Sequence, residues 1–113
     1  IKNTMKLPLQ ISFHGMDSSP ATEAMIRERA EKRERFHGRI TSCRVAVEAE
    51  NRHQRKGKLF RGRVDRTVPG HEIVANRTPT EDHAHEDIGV AVRDAFDAAR
   101  RQLEDHLRLD DAR

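Results

Sequence analysis

Between Arg52 and Arg63 the chain carries Arg52, Arg55, Lys56, Lys58, Arg61 and Arg63 and not one acid. Cations this close repel one another, so a polyanion is the natural partner. Each phosphate they neutralise releases counterions, which makes such binding fall as salt rises. The competing reading is a solvated hairpin tip whose cations discourage edge-to-edge strand pairing. A second group is Arg93, Arg100, Arg101 and Arg108, spaced to share the outer side of one helix. There Asp97 can pair with Arg101 and Glu104 with Arg108, four residues on, so a self-neutralised face competes with a binding face. The third is Glu81-Asp82-His83-Ala84-His85-Glu86-Asp87. A His-x-His with flanking carboxylates can ligate zinc or nickel, but no third histidine is placed, and a helix-entry loop is the preferred reading. No nucleophile elbow, phosphate loop or metalloprotease motif is present, so neither an enzyme nor a cofactor is expected.

The elements that must hold these groups follow from periodicity. Asp87 to Arg108 repeats Ile88, Val92, Ala95, Phe96, Ala99, Leu103 and Leu107 at spacings of three and four, one apolar stripe on a long helix. Lys6 to His14 alternates Leu7, Leu9, Ile11 and Phe13, a first strand in which Pro8 suits the start or an edge. Ser19-Pro20 opens a helix predicted to run to about Phe36, with Gly38 as its C-cap. Its inner side is Thr22, Met25, Ile26, Arg29, Ala30, Arg33 and Phe36. Strands follow over Ile40 to Asn51 and Leu59 to Val68, the latter with Phe60, Gly62, Val64 and Arg66 on one side. After the Pro69-Gly70 turn comes a short strand, Glu72 to Arg77. The order β-α-β-β-β-α predicts an α+β fold: a four-stranded sheet, both helices on one face, the other face open to solvent.

Composition narrows the function. The 113 residues make one domain, set here at 5–109, with 1–4 ahead of Met5 left aside as a cloning remnant or disordered arm and 110–113 as a tail. Lys and Arg number 22 against 19 Asp and Glu, a net charge of +3: basic, but below a strong nucleic-acid binder. There is no Trp, no Tyr and only four Phe, which argues against a base-stacking aromatic platform. The single Cys43 admits no internal disulfide and suits a reducing cytoplasm. No apolar run reaches membrane-spanning length, so no membrane partner is expected.

With these elements in place the chain resembles the ribosome hibernation-promoting factor family, which includes ribosome-associated inhibitor A (protein Y), in its short form. The resemblance runs from Leu7 to Arg108. It rests on S-P-A-T-E-A-M-I-R-E-R-A-E-K, Arg39-Ile40 leading to V-A-V-E, V-P-G-H-E-I-V-A, E-D-I-G-V-A-V and R-R-Q-L. It implies a fold akin to a double-stranded-RNA-binding domain and a monomer when free. It also implies a non-enzymatic, cytoplasmic, bacterial protein that sits on ribosomal RNA in the decoding channel of the small ribosomal subunit. There it would inhibit translation in stationary phase or stress. Within R-R-Q-L the resemblance makes Arg101 the leading RNA contact. Gly89 stands where the family usually has Tyr, Ala98 where Lys is usual, and Asp105 where a basic residue is common. Those departures leave open a divergent paralogue that binds another structured RNA or a protein partner.

Overall fold

The computed structural model describes residues 8–32, 37–51, 58–77 and 87–111. In order these form β1 (Leu9–His14), α1 (Pro20–Glu31), a 3-10 turn (His37–Arg39), β2 (Ser42–Asn51), β3 (Lys58–Val68), β4 (His71–Arg77) and α2 (Ile88–Asp111). The strands lie side by side as β1-β2-β3-β4. Strand β1 runs parallel to β2 through the α1 crossover, and the other neighbours are antiparallel. This is the expected α+β order.

Register explains the core. Ile11, Val45, Val64 and Ala75 are direct cross-strand partners in one row, and Phe13, Val47 and Gly62 in the next. A side-chain period of two puts every one of them on the same face. Ile26 and Ala30 of α1 join Val92, Ala95, Phe96 and Ala99 of α2 over that face in one core. A smaller cluster of Ile40, Val68, Ile73, Leu103 and Leu107 closes the sheet end nearer the C-terminus of α2. Gly62 sets how close α2 can lie. A Cβ built there would meet the Ala91 carbonyl oxygen at 3.0 Å and the Ala95 Cβ at 3.1 Å. The Pro69-Gly70 turn forms as read, with Gly70 at φ 79°, a conformation that favours glycine.

Both helices start on side-chain caps. Ser19 Oγ accepts the Thr22 N–H at 3.2 Å. Asp87 Oδ1 accepts the Gly89 N–H at 2.7 Å while its carbonyl accepts the Ala91 N–H. Helix α1 stops five residues before Phe36. Lys32 is its cap, in extended conformation, and Gly38 lies in the 3-10 turn instead. The apolar stripe weakens there: past Ala30 the next inner position is Arg33, which gives that step little apolar burial to offset its ordering. Arg33, Phe36, Leu7 and the His83/His85 segment lie outside the described residues.

Candidate nucleic-acid interface

Antiparallel β2 and β3 bring Asn51 opposite Lys58, so 52–57 bridges the end of that hairpin. Arg52, Arg55 and Lys56 lie outside the described residues, as does the side chain of Lys58. The same end of the sheet receives the start of α2, since Ala91 lies over Gly62 while Leu103 and Leu107 pack at the other end. A helix N-terminus carries partial positive charge and so favours anions nearby.

The other candidates fall on two opposite surfaces. Arg61 and Arg63 project from the open face of the sheet, and Arg93, Arg100, Arg101 and Arg108 from α2, across the core. The fold therefore does not gather them into one patch. Five of these six are in ion pairs. Arg61 donates to Glu48 Oε1 at 2.8 Å and to Glu50 Oε1 at 3.1 Å. Arg63 lies 3.7 Å from Asp65 Oδ2. On α2, Arg93 is 3.7 Å from Asp94, Arg100 is 3.5 Å from Glu104, and Arg108 is 3.3 Å from Asp105. The pairs anticipated from spacing, Asp97 with Arg101 and Glu104 with Arg108, are not the ones formed. Glu104 turns back to Arg100, and Arg108 reaches Asp105, one residue nearer in sequence than Glu104. Arg101 is exposed and, among the described residues, has no carboxylate partner.

Two arginines escaped the sequence reading. Arg44 donates to Asp65 Oδ2 at 3.3 Å and Glu72 Oε2 at 3.1 Å. Only the register, which sets Arg44 opposite Asp65, reveals that pairing. Arg66, which the sequence places only on the strand side of Phe60, Gly62 and Val64, is buried with its guanidinium carbon 5.5 Å from the centre of the Phe96 ring, a cation–π geometry. Ala98, one of the departures from the family pattern, is buried in the main core. A lysine there would have to snorkel its charge out along α2.

Charge is thus unevenly spread. Twelve of the 22 Lys and Arg have described side chains, against thirteen of the 19 Asp and Glu. Those described side chains sum to one negative charge. Ten cations and six acids remain, and four of those cations, with no acid, sit in 52–58. No group of three or more metal-ligating side chains occurs among the described residues. None of the described helices is long and apolar enough to cross a membrane.

Comparison with known proteins agrees with this architecture. A search of curated proteins returned no match. A solved structure described as a ribosomal subunit interface protein from Coxiella burnetii superposes with a TM-score of 0.73 at 16% identity. The match covers 90% of this chain and 99% of that one, and it establishes a shared fold. The family model for sigma 54 modulation protein / S30EA ribosomal protein matches residues 9–108, from the first strand through the working length of α2. The chain therefore belongs to the sigma 54 modulation protein / S30EA ribosomal protein family, a family of ribosome-associated proteins.

Proposed function

We propose that this protein binds the small ribosomal subunit through its ribosomal RNA, lodges in the decoding channel and stops translation by excluding messenger and transfer RNA in stationary phase or stress. The observation that carries the reading is the charge distribution: described side chains of nearly balanced charge on a two-layer body, and an acid-free run of four cations at 52–58 where β2 and β3 are joined. The arginines paired with carboxylates leave shape to seat the body in a crevice, while the run at 52–58 supplies the electrostatic attachment. Structured RNA is commonly recognised in this way, through backbone and shape. Family membership and the resemblance to a ribosomal subunit interface protein support the ribosome as the target. Lys58, Arg52, Arg55 and Lys56 hold phosphates in this reading, with Arg101 as the second anchor on α2. The paired arginines contribute less, because each brings a carboxylate with it. The action is steric, needs no cofactor, and takes place in the cytoplasm with the protein as a monomer.

Sucrose-gradient sedimentation of lysate from cells entering stationary phase tests it. The protein is expected with small subunits or with ribosomes containing them. Recovery only at the top of the gradient, with retained affinity for free structured RNA, would point to another RNA target. The variant Arg55→Ala/Lys56→Ala/Lys58→Ala is expected to bind more weakly and to flatten the salt dependence by up to about one phosphate per cation removed. An unchanged slope would mean that the hairpin end is idle.

A further inference from the structure

The open face of the sheet holds a feature that steric exclusion does not use. Between β1, β2 and β3 lies a shallow concavity of about 540 Å³, lined by Gln10, Ser12, Arg44, Ala46, Arg63 and Asp65. That volume is within the roughly 300–1,000 Å³ of small-ligand clefts. Asp65 forms its floor, with a side chain only 9% exposed. One carboxylate oxygen, Oδ2, takes Arg44 at 3.3 Å and Arg63 at 3.7 Å. The other, Oδ1, is buried and has no hydrogen-bond donor. A buried carboxylate oxygen without a donor is unfavourable, and native structures rarely leave one so. The two arginine side chains that meet Oδ2 are half-exposed, at 58% and 50%, and Arg44 also donates to Glu72 Oε2 at 3.1 Å.

We propose that this concavity accepts a nucleobase with an N–H donor edge, guanine above all. A carboxylate offers two acceptors side by side, and guanine presents two donors, N1–H and the 2-amino group, at matching spacing. Oδ1 gains the donor it lacks, and Oδ2 exchanges an arginine contact for the second. The displaced planes of Arg44 and Arg63 then stack on the base or grip the attached phosphate, as arginine does with both. Ser12 and Gln10 supply further polar groups at the rim. Without Trp or Tyr the face provides no general stacking platform. Selection must come from the hydrogen-bonding edge. The base could belong to a free nucleotide or to an unpaired residue of an RNA strand. The second source rests on the RNA-binding reading above, and the first does not.

Titration of the isotopically labelled protein with GMP, IMP, AMP and UMP, followed by backbone amide spectra, tests the assignment. GMP is expected to bind weakly, with a Kd of about 1 mM, as suits an open cleft and a single nucleotide. Its largest shifts should fall on Ser12, Ala46 and Asp65. IMP, which lacks the 2-amino group, should bind about tenfold more weakly. Asp65→Asn should abolish the preference for GMP over IMP, while Glu72→Gln, outside the concavity, should keep it. If Asp65→Asn proves unstable, the shift pattern and the GMP-to-IMP ratio on the parent protein still decide. The pentamers UUGUU and UUUUU, as RNA, separate the sources. Tighter binding of UUGUU than of GMP places the base in a strand, and equal binding places it on a free nucleotide. A preference for GMP over IMP with no advantage of UUGUU over UUUUU restricts the site to free nucleotides, whereas no preference for GMP over IMP, or shifts confined to other surfaces, would overturn the proposal. Because sedimentation with ribosomes is read separately, that failure would leave the steric reading standing.

Discussion

The two faces of the sheet are built from the same four strands, residue by residue in alternation, yet they obey different physics. On the covered face Val45, Val47 and Val64 are at most 2% exposed, and Gly62 removes its own side chain to let α2 approach. On the open face Arg44, Arg61 and Arg63 alternate with Glu48, Glu50, Asp65 and Glu72. The covered face carries stability because apolar burial is worth kilocalories per side chain. The open face carries little, because exposed ion pairs contribute about 0–1 kcal/mol each. Variants on the first face should therefore unfold the protein, and variants on the second should change what it touches.

The largest effect is expected for Phe96→Ala. Phe96 is 5% exposed, seats in the main core and has Arg66 against its ring. Truncation should lower unfolding free energy by about 3–5 kcal/mol, read from the urea midpoint. A parent-like midpoint would show that α2 is not held by this face.

A smaller loss is expected for Gly62→Ala. The new methyl would press on the Ala91 carbonyl and the Ala95 methyl, tighter than ordinary contact. Neither neighbour is a flexible chain end, so α2 must shift as a whole. Overpacking of this kind costs about 1–3 kcal/mol. A neutral result would mean that the helix slides at no cost, and that the glycine was not needed for close approach.

The same contrast explains what could be read from the chain alone. The covered face was legible because burial writes a period: Ile88, Val92, Phe96, Ala99 and Leu103 on α2, Val45 and Val47 on β2. Where the stripe weakened, the reading overshot. The periodicity predicts α1 through Arg33 to Phe36, but the helix ends at Glu31, just before the inner side turns to the charged Arg33. The open face was less legible. Asp65 lies one residue from Arg66 in sequence, but its partner Arg44 is 21 residues away. Such pairs are set by cross-strand register, which residue types do not announce. On α2 the spacing showed that arginines and acids alternate, yet several pairings three or four apart were open. Rotamers, not sequence, chose Arg100 with Glu104 and Arg108 with Asp105.

The smallest effect on stability, and the sharpest on the comparison, is expected for Glu48→Gln with Glu50→Gln. Both acids hold Arg61, whose side chain is 33% exposed, and Glu50 lies one residue before Asn51, where the cationic hairpin end begins. Removing them takes the open face from three cations and four acids to three and two. Stability should change by no more than about 1 kcal/mol, since the amides keep the shape and can still accept from Arg61. Affinity for structured RNA should rise at low salt, and its salt dependence should steepen, because Arg61 no longer arrives with its own counter-charges. An unfolding midpoint displaced as far as that of Phe96→Ala would show that the open face is a stability element after all. An unchanged affinity with an unchanged midpoint would show that RNA approaches from α2 and the hairpin end, leaving the acids as idle surface beyond reach of the phosphates.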